Sequence, residues 1–297
     1  MKQESRFKVW FRQIRGPFLV LPIALVLIGV AAAYRQGIRH CGHALLLLLG
    51  VILTHVSVNL FNEISDYKTR IDESTTPTPF SGGSGMLQAG KTSVFSVTVA
   101  AYTTMVIAAV IGFYFCLISG WLILIFMAFG AVAIRFYTSH LARWLVGELF
   151  CGLALGTFVV LGVYYALTGR LTIEIILISI PPGILTLLLL FLNEFPDAEA
   201  DERGGRHHLI IHFGKRRGAV IYAVILALLY IVILLVPFVS DAPYTTLIAL
   251  LTMPLALKAS SITLKHYDDT AKLVPALGLN VGIVIFTDLL LALAYFL

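Results

Sequence analysis

Apolar stretches of bilayer-spanning length recur along the whole chain, and they limit its fold more than any other feature of the sequence. A transmembrane helix needs about 20 predominantly apolar residues, and here 59% of the 297 residues are hydrophobic while only 12% are charged. We therefore predict an all-α, multi-pass protein of a bacterial or archaeal cell membrane, with nine transmembrane helices bundled around one central cavity in a single domain, residues 1–297. The helices are expected at about 17–36, 42–62, 93–113, 116–134, 147–168, 172–193, 218–239, 243–262 and 274–297.

The distribution of basic residues predicts the orientation of these helices. With a cytoplasmic N-terminus, all of the 21 lysines and arginines except Arg35, Arg39 and Arg170 fall in cytoplasmic segments, in agreement with the positive-inside rule. The first stretch also has the basic start and small-residue end of a signal peptide, but the eight apolar stretches that follow favour an uncleaved helix. The net charge of +5 therefore indicates orientation and contact with the lipid bilayer, and no nucleic acid partner is expected.

Two long loops are predicted on the cytoplasmic side, at about 63–92 and 194–217, as caps over the bundle. The pattern Asn-Glu-x-x-Asp occurs at the start of each, from Asn62 to Asp66 and from Asn193 to Asp197. Four predicted spans separate the copies, so both emerge on the same face and can converge on one site. Nine of the sixteen acidic residues lie in the two clusters that begin there: Glu63, Asp66, Asp72, Glu73, Glu194, Asp197, Glu199, Asp201 and Glu202.

The spacing of the polar residues places them on shared helical faces and favours a bound cation. Steps of three and four residues keep side chains on one face of a helix. Carboxylates this dense repel one another unless a cation lies among them, and hard oxygen ligands suit Mg²⁺. Pro196 is expected to kink or end the sixth transmembrane helix. One face is His55, Asn59, Asn62 and Asp66 on the second helix. If the sixth helix continues past Pro196, Asn193, Asp197 and Asp201 form the other.

Other interpretations of these features stay open at this point. The acids can be helix caps without a ligand, or they can be the coupling site of a cation-driven transporter, which predicts a midplane site between inverted repeats. The stretch that contains Pro77, Pro79 and the glycines of Ser81–Gly85 is either a flexible linker or a loop that cradles a ligand.

The two motifs resemble those of the UbiA superfamily of intramembrane prenyltransferases, nine-helix bundles with Asp-rich motifs after helices 2 and 6. The second motif, Asp-x-x-x-Asp, is intact at Asp197 and Asp201. In the first, Glu63 replaces an Asp but keeps a charge that can reach a metal, and Arg70 stands where a third Asp is usual. Several positions look like the menaquinone-type branch: Asn62, Asp66, Tyr67, Asp72, Thr78–Gly85 and Gly205–Leu209.

The resemblance implies transfer of a polyprenyl group from polyprenyl diphosphate to a small aromatic acceptor with Mg²⁺ as cofactor. The acceptor expected for this branch is 1,4-dihydroxy-2-naphthoate; the alternatives are 4-hydroxybenzoate, homogentisate and geranylgeranylglyceryl phosphate. The implied metal ligands are Asn62, Asp66, Asp72, Asp197 and Asp201. The implied catalytic residues are Asp66, Asp197 and Tyr137. The implied substrate-binding residues are Asn62, Lys68, Arg143, Arg206, Asn59, His55, Arg15 and Asn193.

Some of these assignments have competing interpretations. The Tyr137 ring is expected to shield a carbocation, but a membrane-interface tyrosine fits equally well. Arg15 is expected to meet an acceptor carboxylate or to serve orientation only. His207 and His208 are expected at the membrane interface. The sequence does not indicate an oligomeric state.

Overall fold

The computed structural model of the protein describes residues 4–71, 75, 77–136 and 145–297. Within these ranges every regular element is helical, as predicted. The helices are α1 Arg6–Gln13, α2 Gly16–Arg35, α3 Cys41–Thr69, α4 Val94–Ser119, α5 Leu122–Phe136, α6 Gly147–Thr168, α7 Ile173–Arg203, α8 Leu209–Phe213, α9 Lys215–Val239, α10 Tyr244–His266 and α11 Thr270–Phe296.

Eight of the described helices are long and apolar enough to cross a membrane: α2, α3, α4, α6, α7, α9, α10 and α11. The apolar part of α5, Leu122–Ile134, is shorter, and α5 ends next to residues outside the described ranges. A multi-pass, all-α membrane protein is therefore confirmed, and the helices follow the predicted order. The ninth crossing and the cytoplasmic N-terminus stay predictions.

The two helices that carry the motifs continue beyond their predicted ends. α3 runs to Thr69 and stops at Arg70, which has a left-handed backbone (φ 58°) and caps the last turn. α7 runs to Arg203 and includes Pro196, so the helix does not end at this proline; a kink there stays a prediction. A proline removes one helical hydrogen bond, but the strong helix formers among the residues after it, Ala198, Glu199, Ala200, Glu202 and Arg203, maintain the helix. Asp197 and Asp201 therefore lie one turn apart on a continuous helix.

Glycines bring α6 and α7 into backbone contact. A Cβ added at Gly152 would lie 2.6 Å from the Gly183 carbonyl oxygen, and one at Gly156 would lie 2.7 Å from that of Pro182. Larger residues are therefore excluded at this crossing. The backbone of α6 widens to a π-helical turn at Leu153–Thr157 beside the contact, a feature that is frequent near functional sites.

Buried polar pairs join α7 to α9 and α11 on the opposite side. The Tyr222 hydroxyl donates to Asn280 Oδ1 at 2.9 Å, and Asn280 Nδ2 donates to the Leu188 carbonyl at 3.0 Å. Hydrogen bonds between helices are favourable where water is absent. These bonds fix the side of α7 that packs on α9 and α11, while another side of α7 contacts α6.

Candidate active site

A polar cavity of about 120 Å³ lies between the motif ends of α3 and α7. The loop 77–92 and the segment that follows α7 complete its walls. The two motif copies, far apart in sequence, therefore meet at one cavity. Five residues of the predicted polar faces line it: Asn62, Asp66, Asn193, Asp197 and Asp201.

Arg206 bridges the two motif copies. Its guanidinium donates one hydrogen bond to Asp201 Oδ1 at 2.7 Å and another to Asp66 Oδ1. Both carboxylates are buried, with 6% of Asp66 and 3% of Asp201 exposed. Because a buried carboxylate is costly without a paired cation, this arginine compensates the acids from both motifs. Arg206 also lines the cavity, where it was predicted to bind substrate.

Two buried oxygen atoms of the second motif accept no hydrogen bond from the part of the chain that the structure describes. Asp197 Oδ2 accepts the Gly82 N–H at 3.3 Å, whereas Asp197 Oδ1 and Asn193 Oδ1 have no partner among the described residues. An unsatisfied buried acceptor costs roughly 1–3 kcal/mol. Carboxylate and amide oxygens are the ligands that a hard divalent cation prefers. The donor set therefore fits Mg²⁺.

The loop 77–92 is folded over the cavity. Thr78 and Ser81 form a tight turn, with hydroxyls 2.9 Å apart and the Thr78 N–H donated to the Ser81 carbonyl at 3.1 Å. Gly82 follows with φ +75°, a conformation that favours glycine. The backbone at Gly82 and Gly83 lines the cavity, as expected for a loop that cradles a ligand.

Glu63 is not among the described residues that line the cavity, although its charge suggested that it can reach a metal. Its side chain is 1% exposed and accepts four hydrogen bonds from three residues. Gln13 Nε2 donates at 3.1 Å and Arg15 Nε at 3.2 Å, while Ser84 donates through its N–H at 2.8 Å and through its hydroxyl. Glu63 therefore connects α3 to the N-terminal segment and to the loop 77–92, which is called the glycine loop below.

Of the described residues that were predicted to bind substrate from outside the motifs, Arg15 lines the polar cavity, whereas Asn59, Lys68 and His55 do not. Arg15 lines the cavity while it pairs with Glu63 at 3.2 Å. Asn59 donates its Nδ2 to the Ile14 carbonyl at 2.9 Å and so holds the N-terminal segment. Lys68 is exposed and His55 is buried, and neither is among the residues that line the polar cavity. Asp72, Tyr137 and Arg143 lie outside the described residues.

A second group of buried ionisable residues was not predicted from the sequence. His208, expected at the membrane interface, is only 3% exposed, although His207 beside it is exposed as expected. His208 Nδ1 lies 3.6 Å from Glu194 Oε2, and Nε2 lies 3.3 Å from Asp201 Oδ2. Glu148, at the start of α6, joins the group and accepts the Leu209 N–H at 2.7 Å. A charged residue at the edge of an apolar stretch was the one signal available for Glu148.

A larger apolar cavity of about 380 Å³ lies among α3, α4, α5 and α6. Thr54 of α3, Met105 of α4 and Phe158 of α6 contribute to its walls. Asn62, in the polar cavity, follows Thr54 by two helical turns, which is about 12 Å along α3. The same helix therefore lines a polar cavity and an apolar cavity in succession.

Comparison with known proteins identifies relatives across almost the whole chain. A model described as the UbiA prenyltransferase family matches residues 20–282. The 1,4-dihydroxy-2-naphthoate octaprenyltransferase of Bacillus subtilis is 28% identical over 234 residues, covering 77% of this chain and 74% of that protein. The 2-carboxy-1,4-naphthoquinone phytyltransferase of Synechocystis is 22% identical over 297 residues, covering 97% and 93% of the two chains.

Solved structures share the fold at lower identity. A UbiA homologue from Aeropyrum pernix superposes with a TM-score of 0.71 at 14% identity, covering 91% of this chain and 95% of that one. A UbiA homologue from Archaeoglobus fulgidus, bound to DMAPP and Mg²⁺, superposes with a TM-score of 0.65 at 16% identity, covering 95% and 98%. These likenesses extend the agreement from helix order to the three-dimensional arrangement.

Proposed function

Since this chain belongs to the UbiA prenyltransferase family, we propose that it transfers a polyprenyl group from a polyprenyl diphosphate to 1,4-dihydroxy-2-naphthoate with Mg²⁺ as cofactor. The prenyltransferase class follows from the family, and the acceptor and the metal are the proposal. The acceptor is supported by relatives that are named as naphthoate prenyltransferases, among them the Bacillus subtilis protein. The metal is supported by the oxygen-rich cavity.

The observation that carries this proposal is the convergence of both motifs on one buried polar cavity. Asp66 comes from α3, and Asp197 and Asp201 come from α7. The oxygen atoms without hydrogen bonds, Asp197 Oδ1 and Asn193 Oδ1, are buried beside this cavity. We assign Asn62, Asp66, Asn193, Asp197 and Asp201 as the ligands that would hold Mg²⁺. Asp72, outside the described residues, is a further proposed ligand.

The residues of the cavity bind and orient the diphosphate. When bound, Mg²⁺ supplies positive charge to the diphosphate oxygens and so lowers the barrier to breaking the allylic C–O bond. We assign to Arg206 charge-assisted hydrogen bonds to the same oxygens, and to the backbone N–H groups at Gly82 and Gly83 further contacts with them; all three residues line the cavity. Arg15 adds a second cation at the cavity wall. Tyr137 and Arg143 keep their proposed roles beside the carbocation and the diphosphate.

Bond breaking and bond formation then balance within the site. The electron pair of the broken C–O bond leaves with the diphosphate, whose charge the cations neutralise. A carbon of the electron-rich acceptor ring supplies the pair for the new C–C bond. The ring regains aromaticity when that carbon loses a proton, or carbon dioxide if it carries the carboxylate, and the bonding pair stays in the ring.

The apolar cavity is assigned to the polyprenyl tail. It begins along α3 about 12 Å from Asn62, on the side toward the middle of that helix. Small residues on several helices, among them Gly112 of α4 and Gly130 of α5, line it and leave room for an isoprenoid chain. The head and the tail of the donor would thus lie in a polar cavity and an apolar cavity that share one helix.

An acceptor panel tests the proposal directly. Purified protein is supplied with geranylgeranyl diphosphate, Mg²⁺ and each of four acceptors: 1,4-dihydroxy-2-naphthoate, 4-hydroxybenzoate, homogentisate and geranylgeranylglyceryl phosphate. Mass spectrometry of the product is expected to show prenylated naphthoate, and chelation of the metal is expected to abolish it. A prenylated product from a different acceptor would contradict the naphthoate assignment. Cation uptake into vesicles without diphosphate release would contradict the transferase proposal as a whole.

A further inference from the structure

Glu148, Glu194 and His208 form a compact cluster beside the diphosphate cavity. One carboxylate oxygen from each glutamate and a ring nitrogen of the histidine all lie within 4.8 Å of one another. The residues come from α6, from α7 and from the segment that follows α7. Glu194 and His208 also line that cavity, whereas Glu148 is not among its lining residues, and none of the three is among the ligands assigned to Mg²⁺.

The cluster is buried, and several of its polar atoms are unsatisfied. The exposed fractions are 0% for Glu148, 7% for Glu194 and 3% for His208. Glu148 Oε2, Glu194 Oε2 and both ring nitrogens of His208 form no hydrogen bond with the described residues. Two buried carboxylates at this separation repel one another strongly unless a proton or a cation lies between them.

The surroundings of His208 match the second coordination sphere of a metal site. A metal-bound histidine usually directs its other ring nitrogen to a carboxylate, which fixes the orientation of the ring. Here Nδ1 faces Glu194 at 3.6 Å, and Nε2 faces Asp201 Oδ2 at 3.3 Å. Glu148 is also fixed, because its Oε1 accepts the Leu209 N–H at 2.7 Å while Oε2 is left free of hydrogen bonds to described residues.

From this geometry we propose that Glu148, Glu194 and His208 bind a second divalent cation of the transition-metal class, Zn²⁺ or Mn²⁺. One imidazole and two carboxylates suit these ions, whereas Mg²⁺ favours oxygen ligands alone. The ion neutralises both glutamates and fixes His208 against Asp201. It therefore positions Asp201, one acid of the diphosphate site.

The packing of α6 on α7 prepares this site before any ion binds. Glu148 lies one turn before Gly152, the residue at which α6 touches the α7 backbone. A side chain at Gly152 would separate the helices and move Glu148 away from Glu194. Preorganised ligands lose less entropy on binding, which favours retention of the ion.

Metal retention in excess Mg²⁺ tests the proposal without any turnover. Full-length protein in detergent is stripped with a chelator, loaded with Zn²⁺ or Mn²⁺, and desalted into millimolar Mg²⁺ that saturates the oxygen site. Elemental analysis is expected to find about one transition-metal ion per chain. Glu148→Gln is expected to weaken binding by at least about tenfold, and Glu148→Asp is expected to retain more metal than Glu148→Gln.

Two control variants locate the ion. Asp66→Ala, which removes an acid of the diphosphate cavity, and Glu174→Gln, a partly buried glutamate near the start of α7 beside Arg35, are expected to retain it. Pulsed EPR of the Mn²⁺ form of the wild-type protein is expected to show a nitrogen coupling that His208→Gln abolishes. This measurement does not depend on whether Glu148→Gln folds. Absence of retained metal in wild-type protein, or its loss in Asp66→Ala but not in Glu148→Gln, would overturn the proposal.

Discussion

The two copies of Asn-Glu-x-x-Asp have the same polar residues but place their glutamates in opposite environments. Glu63 is surrounded by donors from Gln13, Arg15 and Ser84. Glu194 lies beside another carboxylate, Glu148, and its Oε2 has no hydrogen bond to the described residues. The aspartates of the two copies, in contrast, face the same cavity.

This difference shows that a repeated motif defines a repeated function only where the neighbouring elements are also repeated. α3 lies against the N-terminal segment and is followed in sequence by the glycine loop, and both provide hydrogen-bond donors to Glu63. α7 is packed on α6, which provides an acid. The shared function is therefore confined to the aspartates and asparagines, while the glutamates have separate tasks.

The largest expected effect comes from neutralising one aspartate in each copy. Asp66→Asn and Asp197→Asn each remove a negative oxygen from the proposed Mg²⁺ site, and we expect activity to fall on the order of a thousandfold in both. Asp241→Asn, in an exposed loop, is the matched control and is expected to keep full activity. Product formation at saturating Mg²⁺ measures the loss. A large loss in only one of the two variants would show that the copies do not act on one metal site.

Substitution of the residue that joins the copies has the next largest effect. Arg206→Gln removes the guanidinium between Asp66 and Asp201, and we expect activity to fall about a hundredfold because one charge-stabilising group is lost. Arg206→Lys keeps the charge but not the two-pronged geometry, so partial activity is expected. Arg203→Gln, on the exposed part of α7, is the control. Equal activity in Arg206→Gln and the wild type would place Arg206 outside the diphosphate site.

The parts of the site that could be predicted from the sequence are those that depend on helical periodicity. The steps of three and four residues, with an even number of spans between the copies, correctly predicted that Asp66, Asp197 and Asp201 share one cavity. Pro196 left open whether α7 continues past it, and the helix does continue because the one lost hydrogen bond is outweighed by the helix formers after it. The partners of Glu63 and Glu194 could not be predicted, since they come from residues distant in sequence, such as Gln13 and Glu148.

The glycine loop contacts both copies, and its distortion is expected to have a moderate effect. Gly82 donates to Asp197, and Ser84 donates to Glu63. Gly82→Ala adds a methyl group 3.2 Å from Pro77 Cα at a residue with φ +75°, so we expect KM for the diphosphate to rise about tenfold, which corresponds to 1.4 kcal/mol. Gly90→Ala has a similar φ of +64° with no atom within 4 Å and is the matched control. A similar rise in KM for both variants would attribute the effect to backbone strain alone.

The smallest expected effects are on stability, and the change in melting temperature is expected to differ in sign between Glu63→Gln and Glu194→Gln. Glu63→Gln removes the buried carboxylate that pairs with Arg15 at 3.2 Å, so we expect the melting temperature to fall by a few degrees, for a loss of about 1–3 kcal/mol. Glu194→Gln, measured in chelator, removes one of two clustered carboxylates and so relieves their repulsion; the melting temperature is expected to stay level or rise. Thermal unfolding of both variants in the same detergent gives the comparison. A fall of equal size in both would mean that Glu194 is held by donors just as Glu63 is, and the contrast between the two copies would then be wrong.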